Sequence, residues 1–127
     1  MHDQDKAILK SLVSVAWADA KVTSEESQML EGLLQAFEAA PDEADDLREY
    51  AKTPRTLDDI PLTELSSEDR RALLQHAVLL TFVDGIQSTE ERDLLEALCD
   101  RLRIPKEEAT ALLAAAEGRA KRLLNLL

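Results

Sequence analysis

VSVAWADAKVTSEESQMLEGLL (residues 13–34) and VLLTFVDGIQSTEERDLLEALC (residues 78–99) are two versions of one pattern, 65 positions apart and aligned without a gap. Asp19 is answered by Asp84, Glu25 and Glu26 by Glu90 and Glu91, Leu30 by Leu95, Glu31 by Glu96, Leu33 by Leu98 and Trp17 by Phe82. The apolar matched positions keep helical spacing on both sides of a short polar stretch, so each copy reads as helix, turn, helix. The acidic matched positions fall in the turn.

Working outward from these stretches, the same periodicity predicts a first helix over about 3–18, with Ile8, Leu9, Leu12, Val13 and Ala16 on one stripe. A second helix follows from Thr23 or Ser24 to about Ala39. Pro41 and Asp42 mark a break, and residues 44–52 suit a short third helix. Residues 53–65 (TPRTLDDIPLTEL) hold two prolines and read as a loop with a turn or two of helix. A fourth helix is expected from Ser66 or Ser67 to about Val83, and a fifth from Ser88 or Thr89 to about Leu102. A sixth starts with Pro105 in its first turn and runs to the C-terminus. Gly118 weakens that helix by about 1 kcal/mol relative to Ala, which leaves room for a bend. The fold class is therefore all-α: one domain over 1–127, a pseudo-symmetric bundle of six to seven helices. It is built on two duplicated helical hairpins (repeat units about 5–39 and 67–103) whose exposed edges the remaining helices cover.

The totals agree. The chain has 127 residues, scarce Gly and 45% hydrophobic residues, enough for one core without staples. A single Cys99 excludes an internal disulfide, and between Leu98 and Leu102 it reads as a small buried hydrophobe. The start, MHDQDKAILK, lacks the basic end and apolar stretch of a signal peptide, and no apolar run approaches a transmembrane span. A cytoplasmic protein is the default expectation. The net charge of −11 repels phosphate backbones, so nucleic acid is a poor partner; cations and basic protein surfaces are favoured.

The turns carry what chemistry the sequence offers. Thr23 with Glu26 and Ser88 with Glu91 fit S/T-x-x-E, the capping box, in which hydroxyl and carboxylate satisfy each other's backbone N–H groups. Carboxylates in a first turn also suit the positive end of the helix dipole. A structural role thus accounts for Glu25, Glu26, Glu90 and Glu91. Asp19 and Asp84 are different. Each ends a helix, where a negative charge faces the negative end of the dipole, at a cost of about 0.3–1 kcal/mol. A locally unfavourable residue at matching positions of both copies calls for a partner: backbone N–H groups of the next helix, a basic side chain, or a cation shared with the Glu pair. Oxygen donors of this kind suit a hard divalent ion such as Ca²⁺. No His or Cys lies near, which argues against zinc. Neither turn is an EF-hand, because the twelfth residue counted from Asp19 is Leu30 and from Asp84 is Leu95.

The duplicated A/V-Asp-Gly/Ala-x-x-S/T-x-E-E signature, Ala18-Asp19-Ala20 through Glu26 and Val83-Asp84-Gly85 through Glu91, resembles that of the TerB-like family. This is the tellurite-resistance group that also includes the N-terminal region of a membrane-anchored DnaJ-type co-chaperone. The resemblance implies an all-helical pseudo-symmetric bundle. It implies a non-enzymatic acidic module that binds metal through Asp19, Glu25, Glu26, Asp84, Glu90 and Glu91, in stress responses and membrane-associated complexes. One departure bears on the first copy. Gly85 can close a helix in the left-handed conformation, whereas Ala20 would adopt it with strain, so the first turn is expected to differ in shape from the second.

Other residues read as structural. His76 lacks a nucleophile partner, Trp17 and Phe82 suit core anchors, Arg70 and Arg71 suit a solvent face, and Arg101, Arg103 and Lys106 suit a helix end. No phosphate loop or nucleophile–base pair is present, so no enzyme is expected. In the tail AKRLLNLL (120–127), Leu123, Leu124, Leu126 and Leu127 either close the core or form an apolar strip, led by Leu123, Leu124 and Leu127, for a protein partner or a homo-oligomer. Two functional expectations result: a divalent-cation-binding acidic module serving as an adaptor, and a metal-free helical adaptor.

Overall fold

The computed structural model describes the backbone of residues 3–17, 23–82 and 89–123, and the side chains of these except 82, 89–91, 121 and 123. Six α-helices appear, with no strand among the described residues: α1 (Asp3–Trp17), α2 (Ser24–Ala36), α3 (Pro41–Ala51), α4 (Ser67–Phe82), α5 (Thr89–Arg101) and α6 (Lys106–Leu123). Two 3₁₀ turns, Leu57–Asp59 and Leu62–Glu64, lie in the connector between α3 and α4.

α1 and α4 form the centre and pack on each other; α2 and α3 pack on α1, and α5 and α6 on α4. The sequence predicts a one-sided stripe for α1, but burial reaches well beyond it: residues 7–9 and 11–16 are all buried, and Lys10 between them is exposed. A helix buried over most of its circumference must be apolar there, and serines on the buried part have to find partners inside. Ser11 does, donating from Oγ to the Ala7 carbonyl at 2.6 Å. The Ser14 hydroxyl, equally enclosed, has no hydrogen-bond partner among the described residues.

Local chemistry sets the boundaries. α2 stops at Ala36, short of the expected Ala39, because Glu38 enters the left-handed region at φ 56°. The Ala39 N–H then reaches the Leu34 carbonyl and the Glu38 N–H the Gln35 carbonyl, both at 3.0 Å, which is a Schellman closure. α5 ends in the same way: Arg103 has φ 58°, Ile104 donates to Cys99 at 3.2 Å and Arg103 to Asp100 at 3.1 Å. α3 begins at Pro41, earlier than the predicted 44, because Glu43 accepts from the Ala40 N–H at 2.9 Å and so caps the first turn. Ser66 and Asp69 close a reciprocal cap on α4 at 3.0 and 3.1 Å. α6 runs through Gly118 to Leu123, and a Cβ added at Gly118 would meet nothing within 4 Å.

The connector is pinned by two arginines that sequence reading assigns to solvent and to a helix end. Arg70 donates to the carbonyls of Leu62, Leu65 and Leu102 at 2.9, 3.3 and 3.1 Å. Arg101 donates to those of Leu57, Asp58 and Ile60 at 3.1, 3.0 and 3.2 Å. A guanidinium presents several donors in a rigid fork, so one side chain satisfies the carbonyls that an irregular segment leaves over. Ile60 and Leu65 are thereby held in the core.

Helix bounds recur at the 65-residue offset: α2 answers α5 at both ends, α1 and α4 end on Trp17 and Phe82, and α3 and α6 begin on Pro41 and Lys106. The recurrence therefore includes the third helix, which extends the predicted two-helix unit to three.

Candidate functional site

The acidic turns leave α1 and α4 and enter α2 and α5. In the first, Thr23 is the N-cap of α2 in extended backbone. Its hydroxyl accepts from the Glu26 N–H at 3.1 Å, and Glu26 Oε1 accepts from the Thr23 N–H at 3.0 Å. The expected capping box is present, so part of the Glu26 carboxylate serves the helix start. Glu25, the preceding residue, is exposed. Glu90 and Glu91 take the second and third backbone positions of α5, as Glu25 and Glu26 do in α2; their side chains are outside the described residues. Asp19 and Asp84 are also outside them, together with Ala20, Gly85 and the cap expected at Ser88. Of the C-terminal leucines, Leu123 is the last residue of α6, with its side chain outside the described residues, and Leu124 and Leu127 lie outside them. Among the described residues no group of three or more His, Cys, Asp or Glu is gathered to hold a metal ion.

The frame that carries the turns is duplicated in side-chain detail, at the end of α1 and α4 away from them. Lys6 of α1 pairs with Glu43 of α3 at 3.1 Å, and 65 positions on, Arg71 of α4 pairs with Glu108 of α6, Nη2 to Oε2 at 2.7 Å. Each pair ties the first helix of a unit to the start of its third. Glu43 is held down at about 2, chiefly by the hydrogen bond from the Ala40 N–H and next by Lys6. Glu108 is lowered by the hydrogen bond from Arg71. Sequence reading places Arg71 in solvent; the missed signal is the conserved charge type at both offset pairs, Lys6 with Arg71 and Glu43 with Glu108. Trp17, expected in the core, is half-buried and donates from Nε1 to the Ala51 carbonyl at 2.8 Å, so the end of α1 caps the end of α3. The Phe82 side chain lies outside the described residues.

The second and third helices of each unit diverge, and a cleft opens between them. One, of about 450 Å³, lies between α2 and α3 and is lined by Leu30, Leu34, Leu47, Glu31, Arg48 and Lys52 among others. Arg48 spans it, with a two-pronged contact to Glu31 at 2.7 and 2.9 Å. The other, of about 510 Å³, lies between α5 and α6 over Leu95, Cys99, Ile104, Ala109 and Leu113. Arg92 and Glu117 approach to 3.5 Å across it. Cys99 is buried as expected, and burial pushes its thiol up to about 11, away from nucleophilic duty. His76 packs edge-on against Phe37, ring centroids 6.0 Å apart, and burial lowers its pKa.

A family model described as "Tellurite resistance protein TerB" matches residues 5–114. The chain belongs to the TerB family. The match spans both acidic turns and all helices up to the middle of α6, and the all-helical architecture is the one the resemblance implied. Comparison with curated proteins and with solved structures finds no match. No described helix of this TerB-family chain is long and apolar enough to cross a membrane.

Proposed function

We propose that this TerB-family module is a non-catalytic binding domain that takes up a divalent cation, Ca²⁺ foremost, at its two acidic turns and thereby acts as an adaptor in stress-response or membrane-associated complexes. The reading rests on the recurrence of the helical frame that carries the turns. Helix bounds, Schellman closures and the first-to-third-helix ion pairs all repeat at the offset at which Asp19, Glu25 and Glu26 become Asp84, Glu90 and Glu91. Two equivalent frames would carry two equivalent oxygen-rich turns, and oxygen donors with a strong negative surround suit a hard cation. Glu26 already gives one oxygen to its capping box. That leaves Asp19 and Glu25 the stronger donors in turn one, and by analogy Asp84 and Glu90 in turn two. With so few donors from each turn, affinity would be modest.

Calorimetric titration with Ca²⁺ and Mg²⁺ tests this. Heat that saturates at or below millimolar metal and shrinks on Asp84→Asn supports the reading; no heat in that range removes it. A second reading, a metal-free adaptor, is favoured by the two clefts between second and third helices. It predicts that chelator and Ca²⁺ both leave the melting temperature unchanged, and that Asp84→Asn lowers it.

A further inference from the structure

We draw no further inference here: the strongest candidate, the cleft between α5 and α6 floored by Leu95, Cys99 and Ile104, carries nothing because its rim charges face each other across it and nothing in the structure shows what covers it.

Discussion

Two serines on one helix show how far single atoms matter. Ser11 and Ser14 are both fully enclosed, yet the Ser11 hydroxyl reaches a carbonyl and that of Ser14 reaches nothing among the described residues. An enclosed polar group without a partner costs on the order of 1–3 kcal/mol. Ser14→Ala is therefore expected to stabilise the fold, by about 1 kcal/mol in chemical denaturation, while Ser11→Ala gives no such gain. The titrating residues predict a pH profile. Glu43 ionises at about 2 in the folded chain against 4.5 ordinarily. Its stabilisation is complete above pH 4.5 and is lost as pH falls toward 2, since the unfolded chain takes up the proton first. Glu43→Gln should flatten the melting-temperature profile across that window. His76 is shifted down from 6.5 by burial, so its neutral form favours folding. Its contribution to stability is full above pH 6.5 and declines below it as the unfolded chain binds the proton first, a decline that His76→Leu should remove.

At the scale of elements, the helix ends offer the clearest tests. Glu38 and Arg103 hold left-handed backbone without being glycine, a conformation that strains any residue with a Cβ. Glu38→Gly and Arg103→Gly should each stabilise the protein by about 0.5–1 kcal/mol. Gly118→Ala should do the same for the opposite reason, since α6 is regular there and a methyl group has room. Arg101→Met removes three carbonyl contacts from the connector and should unfold it locally, read as faster amide exchange around Ile60. Helix number and order were legible in the sequence because apolar spacing and caps such as Thr23–Glu26 are local signals. The end of α2 was not, since Glu38 gives no compositional sign that it will turn left-handed. Nor were the tasks of Arg70 and Arg101, whose partners are carbonyls more than thirty residues away in several cases.

For the whole molecule, the organising observation is that sequence matches and helix bounds recur at an offset of 65 residues. It was readable in the acidic turns and the helices beside them. Its third-helix component was legible too, in the matches of Glu43 with Glu108, Ala44 with Ala109, Leu47 with Leu112 and Ala51 with Ala116, but these small and common residue types stand out less than a run of carboxylates. The capping role of Thr23 and Glu26 was readable, as was the burial of Cys99. Asp19 and Asp84 stand out in the sequence by electrostatic misfit at matching positions and by the TerB-like signature that contains them. A protein of net charge −11 also gathers cations diffusely, so a specific site has to be separated from a general atmosphere.

An amide NMR titration with Ca²⁺ at fixed ionic strength, run on the native chain and on Asp84→Asn, makes that separation. Saturable shifts confined to residues 19–26 and 84–91, with the second set lost in Asp84→Asn, are the predicted result. Shifts spread evenly over the acidic surface, or the same shifts in both proteins, would contradict cation binding at the duplicated turns.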